Sequence, residues 1–218
     1  MAILFSDGFE TLPFTGLIHV PPWTGTGGAP TVVAQPCQGL YSAFFDADES
    51  CYRNHAAQST LSSRIYFKIV QDYQAGYAGG FMWHVASGTP LCYGLLFGGG
   101  TGLYLRYRDG AALFYSGVYA VNLVDGLFHC IELKTIVADP GEYRLYLDDV
   151  EVVTVVGKDT NDFGNVDRTV LGKSWDYGTP KASWLIDCAV IADQRIFCKV
   201  PFGGGLNPAQ MCKVILGL

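Results

Sequence analysis

Phe128-His129-Cys130-Ile131-Glu132-Leu133-Lys134 runs into Glu142-Tyr143-Arg144-Leu145-Tyr146-Leu147, then Asp148-Asp149, then Val150-Glu151-Val152-Val153-Thr154-Val155-Val156. Each run alternates its side-chain character with period two, the spacing of a strand with two unlike faces. The Asp-Asp pair supplies turn chemistry between the second and third runs. Three antiparallel strands joined by hairpins are therefore expected here.

The same signals extend outward in both directions. Ala2 to Phe5, Leu40 to Phe45, Arg64 to Val70, Phe81 to Val85, Leu91 to Phe97, Gly102 to Arg108 and Ala111 to Ser116 read as short strands. Thr169 to Gly172, Ser183 to Ala192 and Arg195 to Cys198 follow them. Turn chemistry separates the runs at Gly79-Gly80, Ser87-Gly88-Thr89-Pro90, Gly98-Gly99-Gly100 and Asp109-Gly110. Asp109-Gly110 reads as a two-residue hairpin in which both turn residues take positive φ. Residues 21 to 30, Pro-Pro-Trp-Thr-Gly-Thr-Gly-Gly-Ala-Pro, read as a loop. One helical turn is expected, at Asn207 to Lys213, where Asn caps and Pro208 fits the first helical position. Many short strands without crossover helices predict an all-β fold, a two-sheet antiparallel β-sandwich. With 218 residues, one sandwich domain over residues 1–198 and a short apolar extension over 199–218 is the expected organisation.

Composition narrows the partners. Hydrophobic residues make up 50% of the chain and charged residues 16%, which points to apolar surface covered by a partner and hence to a homo-oligomer. A net charge of -6 without a basic cluster argues against nucleic acid. Neither an export leader nor a run of ~20 apolar residues is visible, so no membrane insertion is expected. Seven cysteines, Cys37, Cys51, Cys92, Cys130, Cys188, Cys198 and Cys212, show no metal-ligand spacing. Mostly reduced, buried thiols are expected, with room for one or two disulfides. Asp159, Asp162 and Asp167 lack the ordered spacing of a calcium loop, and no metal or cofactor is expected.

Phe128-His129 before an alternating strand, the Leu145-Tyr146-Leu147-Asp148 hairpin, Leu171-Gly172 and Trp184-Leu185-Ile186-Asp187 together resemble the concanavalin A-like, laminin-G-like jelly-roll pattern over roughly residues 2 to 198. Asp149 stands where that pattern usually has Gly, and Asp accepts left-handed backbone better than most residues. The resemblance implies a jelly roll, a fold that hosts lectins, glycan-cleaving enzymes, adhesion modules and virion proteins.

Motifs must then choose among these. Retaining glucanases of this fold place two Glu around an Asp on one strand, with carboxyls about 5 Å apart. Glu10, Glu49, Glu132, Glu142 and Glu151 form no such motif. Lyases of the fold carry Arg, a Gln/His pair and a Tyr on neighbouring strands, of which only fragments such as Tyr66-Phe67-Lys68 are seen. His129 reads as a packed, hydrogen-bonded structural residue, and no catalytic residue is assigned. Flat rings beside polar groups hold sugar faces, which makes Trp175, Asp176, Tyr177 and Trp23 the carbohydrate-binding candidates. The apolar tail makes Phe202, Val214, Ile215 and Leu216 the interface candidates.

The leading expectation is a non-catalytic assembly or surface-display module, a phage capsid decoration or fibre protein that touches other virion proteins and glycans. It would be made in the host cytoplasm and carried on the virion, since lysis needs no signal peptide. A stand-alone carbohydrate-binding, lectin-like protein is the alternative, and a polysaccharide lyase or glycoside hydrolase the third reading; for location, the alternative to the virion is cytoplasmic.

Overall fold

The run at 129–158 folds as a meander of three strands, His129–Ile136, Gly141–Leu147 and Val150–Lys158, paired antiparallel in sequence order. Asp148 and Asp149 close its second hairpin with φ of 49° and 69°. Two successive positive φ values define the turn whose twist matches the flanking strands. The computed structural model describes residues 2–7, 23–28, 30–37, 41–45, 49–72, 80–97, 101–172 and 182–196. The segment 199–218 and the helical turn expected at Asn207 to Lys213 lie outside the described residues.

Sixteen strands are described: β1 Ile3–Asp7, β2 Gly25–Gly27, β3 Thr31–Val33, β4 Ser42–Phe45, β5 Ser50–Gln58, β6 Thr60–Asp72, β7 Gly80–Ala86, β8 Thr89–Phe97, β9 Gly102–Asp109, β10 Ala112–Tyr115, β11 Tyr119–Ala120, β12 His129–Ile136, β13 Gly141–Leu147, β14 Val150–Lys158, β15 Val166–Gly172 and β16 Ala182–Ala192. They form two antiparallel sheets of eight. The first runs β14-β13-β12-β6-β16-β4-β3 with β1 added to β16, and the second β10-β9-β8-β7-β15-β5-β2 with β11 added to β9. No helix among the described residues is long and apolar enough to cross a membrane.

The sheets are held together by one apolar layer. Ile65, Phe67, Ile131, Leu133, Leu145 and Ile186 of the first sheet meet Phe81, Met82, Leu96, Leu103, Leu105 and Leu171 of the second. Phe67 packs on Phe81 with ring centroids 5.5 Å apart, and Tyr107 on Tyr143 at 5.8 Å. Each such buried side chain contributes about 1.5–3 kcal/mol of transfer free energy, which makes this layer the main source of stability.

Several sequence expectations are corrected. The Asp109-Gly110 hairpin exists, but Ala112 pairs with Asp109, so the turn residues are Gly110 and Ala111 and only Gly110, at φ 58°, is left-handed. β5 was not expected, because Arg53-Asn54-His55 breaks its apolar run; pairing with β15 on one side and β2 on the other holds it in the sheet. β2 itself lies within the Gly/Pro stretch read as a loop. A Cβ on Gly25 would lie 2.5 Å from the Tyr52 hydroxyl, so a larger residue here would have to displace the Tyr52 ring. Arg195 and Ile196 are not strand residues, since the Ile196 N–H donates to the Glu132 carboxylate at 2.9 Å instead of to a neighbouring strand.

Cys51, Cys92 and Cys188 are buried thiols, Cys37 is a half-buried one, and Cys130 is disulfide-bonded.

Candidate functional site on the outer face of the second sheet

The period-two alternation that buries one face of the second sheet leaves an ordered set on the other. Cys51, Leu171, Met82 and Leu105 point into the sandwich. Their neighbours Tyr52, Val170, Trp83, Tyr93 and Tyr104 point away and form a second, separate cluster with Val85 and Leu95. The strand registers place these residues in a line. Tyr52 pairs with Val170, Val170 with Trp83, Trp83 with Tyr93, Tyr93 with Arg106 and Arg106 with Tyr115. At ~4.8 Å between strands, this row across six strands measures roughly 24 Å.

Its members stack on one another. Trp83 and Tyr93 have ring centroids 5.4 Å apart. The Arg106 guanidinium lies 5.4 Å from the Tyr93 centroid and 5.8 Å from that of Tyr115, a cation placed between two rings. Tyr93 is 2% exposed and Trp83 5%, whereas Tyr115 is 54% exposed at the row's end.

At the opposite end the row opens into a shallow pocket of ≈ 290 Å³ lined by Ser50, Tyr52, Trp83, Val85, Gly88, Pro90, Arg168 and Val170. Ser87 and Gly88, with φ of 48° and 81°, make the β7–β8 turn that forms its rim. Arg168 pairs in register with Asn54 and Val85, directly beside the row. Its Nε donates to Asn54 Oδ1 at 2.7 Å, and its guanidinium lies 4.8 Å over the Tyr52 ring. The pocket lining contains aromatic and aliphatic walls, two hydroxyls and one cation, and no carboxylate.

Trp23 is not part of this surface. It is 1% exposed, packs edge-on against Phe5 at 4.8 Å and donates its indole N–H to Asp7 Oδ2 at 2.7 Å. Its ring belongs to the main core cluster and lines no part of the pocket, so the expectation for Trp23 is corrected to a core role. Trp175, Asp176 and Tyr177, like Phe202, Val214, Ile215 and Leu216, lie outside the described residues.

The histidines and acidic groups lie elsewhere. His129 at the start of β12 is clamped between Asp148, 2.9 Å from Nδ1, and Asp125, 3.1 Å from Nε2. The hydrogen bond to Asp148, chiefly, raises its pKa above the ordinary histidine value. His84 is fully buried, and desolvation pushes its pKa down to about 3. Among the described residues no group of three or more His, Cys, Asp or Glu could hold a metal ion. The carboxylate of Asp167 instead accepts the Ser87 N–H at 3.1 Å, and that of Asp159 accepts the Asn161 N–H at 3.3 Å.

No residue of the row was singled out from sequence. The signal was present in the hairpins: the Gly110-Ala111 turn sets Arg106 opposite Tyr115, and the Ser87-Gly88 turn brings Trp83 to Tyr93.

No family model matches the chain, and no curated protein matches it in sequence. Solved structures do match in fold. An endo-β-1,4-glucuronan lyase from the fungus Trichoderma reesei superposes with a TM-score of 0.65 at 13% identity, over 88% of this chain and 96% of that one. Domain 4 of AbnA, a GH43 extracellular arabinanase from Geobacillus stearothermophilus solved with arabinotriose, gives 0.58 at 13% identity over 98% of both chains. A variant of the alginate lyase Aly36B, solved with alginate trisaccharide, gives 0.56 at 10% identity over 88% of this chain and 99% of that one. At such identities the likeness is one of fold: the chain is an all-β, two-sheet sandwich similar to these proteins.

Proposed function

We propose that this protein is a non-catalytic glycan-binding sandwich whose ligand lies on the outer face of the second sheet. The observation that carries the reading is the registered row from Tyr52 to Tyr115 ending in the Arg168 pocket. The accessible rings at the two ends of the row, Tyr52 and Tyr115, offer faces for the C–H surface of a sugar, and hydroxyls and guanidinium groups take its oxygens. Two of the similar structures, the arabinanase domain and the alginate lyase, hold oligosaccharides, which supports a saccharide over other ligands of similar shape. The non-catalytic part of the reading rests on the pocket lining, in which Tyr52 and Arg168 stand without any His, Lys, Asp or Glu to act with them as general acid or base.

A glycan array probed with the full chain tests this directly. Retention of at least one glycan class is expected, with loss of signal for Tyr115→Ala and Arg106→Ala and no release of reducing ends or unsaturated sugars from the retained glycan. An empty array, or cleavage of the glycan, refutes it.

A second reading, assembly or display, is supported by one feature. β14 is the last strand of the first sheet, and Val150 and Val156 on it are 61% and 56% exposed. An apolar edge of this kind favours strand-to-strand association, as a virion or other display protein would use. Light scattering on the full chain beside Val156→Lys tests it: a homo-oligomer that dissociates in the variant supports it, and a monomer rejects it.

A further inference from the structure

The pocket's chemistry goes one step beyond glycan binding in general. Resting on the reading above, we infer that the bound sugar carries an anionic group, a carboxylate or a sulfate ester, and that Arg168 recognises it. Lys158 pairs with Asp109 at 2.9 Å, Arg144 with Glu142 and Glu151 at 2.6 and 2.8 Å, and Lys134 with Glu142 at 3.5 Å. Arg108 on β9 spends its guanidinium on the carbonyl oxygens of Pro90 and Ala111 at 2.9 and 2.6 Å.

Arg168 differs from all of these. It forms no ion pair among the described residues, although the chain carries 20 acidic residues against 14 basic ones. Its only protein hydrogen bond among them runs from Nε to Asn54 Oδ1. That bond and the Tyr52 ring beneath it fix the plane of the guanidinium and leave the terminal pair of nitrogens for a ligand. A fixed planar fork of N–H donors matches a two-oxygen anion, and stacking on an aromatic face holds the fork without consuming its donors. Against a net charge of -6, a positive centre in an aromatic recess with no carboxylate in its lining is a local reversal of sign.

The other lining groups fit the same ligand. Trp83, Val85, Pro90 and Val170 supply an apolar wall for a ring face, and the hydroxyls of Ser50 and Tyr52 supply neutral hydrogen-bonding groups. At ≈ 290 Å³ the recess sits at the small end of ligand pockets (roughly 300 Å³ upward) and suits one sugar residue.

Calorimetric titration of the full chain tests the inference, with three ligand sets: neutral arabino- and xylo-oligosaccharides, oligouronates, and sulfated galactan oligosaccharides. One of the two anionic sets should bind at least about tenfold tighter than the neutral set, and which one does so identifies the anion. Added NaCl should weaken that binding and leave neutral binding unchanged. Arg168→Gln should lose about tenfold to a hundredfold for the anionic set, the worth of a charged hydrogen bond, and nothing for the neutral one. Arg168→Lys should restore part of the loss, which separates charge recognition from a folding defect, with thermal melts as the control. Preference for neutral sugars, or an Arg168→Gln variant that binds the anionic set unchanged, overturns this inference and leaves glycan binding standing. Failure of all three sets to bind overturns both.

Discussion

His84 on β7 and Thr135 on β12 meet across the middle of the sandwich, with Nδ1 and the hydroxyl oxygen 2.8 Å apart; Ser63 on β6 takes the other ring nitrogen at 2.9 Å. The imidazole is fully buried with neutral hydroxyls at both nitrogens and no carboxylate, so desolvation disfavours its charged form and its pKa falls to about 3. This hydrogen-bonded link ties the sheet that carries the candidate site to the sheet behind it.

Acid should therefore weaken the fold through this residue. Unfolded histidine binds a proton near pH 6.5, whereas folded His84 resists it down to about 3. Its contribution is complete above pH 6.5 and is lost progressively as pH falls through that window, amounting to a few kcal/mol in all. Urea midpoints measured from pH 7 to pH 4 should fall steeply in the wild type and less steeply in His84→Ala. The variant itself should lose about 2–4 kcal/mol at pH 7.

Glu132 acts with the opposite sign. Its carboxyl is fully buried, accepts the Ile196 N–H and lies 3.7 Å from Arg195, and desolvation lifts its pKa to about 7. The folded state thus holds a proton between pH 4.5 and 7 that the unfolded state releases, and stability from this group grows as pH falls through that range. Glu132→Gln keeps the acceptor and should abolish that pH dependence with a change within about 1 kcal/mol. Glu132→Ala leaves the Ile196 N–H without its acceptor and should cost about 2 kcal/mol. Chemical denaturation of both variants at pH 5 and pH 8 checks this.

The meander at 128 to 156 was legible because its alternation is unbroken and its Asp-Asp turn has one structural meaning. β5 was not, because a strand held by two neighbours need not advertise itself by apolar alternation. Trp23 was misread because its Gly/Pro surroundings resemble an exposed loop, whereas its N–H is satisfied by Asp7, 16 residues earlier in the chain. The Tyr52-to-Tyr115 row depends on five strand registers at once. Single residues such as Arg106 or Arg168 reveal nothing until those registers are known.

The thiols offer a check on the core. Cys51 and Cys92 are 0% exposed, and burial pushes Cys92 up to about 12 and Cys51 well above its ordinary value. A thiol that is neither accessible nor ionised does not react with alkylating agents. Iodoacetamide labelling followed by peptide mass spectrometry at pH 8 should leave both unmodified in the native protein and modify both in denaturant. Fast native labelling of either would place it at the surface.

His129 should be dispensable for ligand binding. Its ion pairs with Asp148 and Asp125 raise its pKa, so its stabilising effect is complete below pH 6.5 and is lost as pH rises through the raised value. His129→Ala should cost about 1 kcal/mol at pH 6, less at pH 9, and leave glycan retention unchanged. Loss of binding without loss of stability would mean that the working surface is on the first sheet.

The position of that surface is measured most directly by hydrogen–deuterium exchange of the full chain, with and without the oligosaccharide best retained on the array. Ligand should slow exchange in peptides from β5, β7 to β10 and β15, strongest around Tyr52, Trp83 and Arg168, and leave β6, β12 and β16 unchanged. Slowing confined to the first sheet, or no slowing at saturating ligand, would contradict the assignment of the glycan to the outer face of the second sheet.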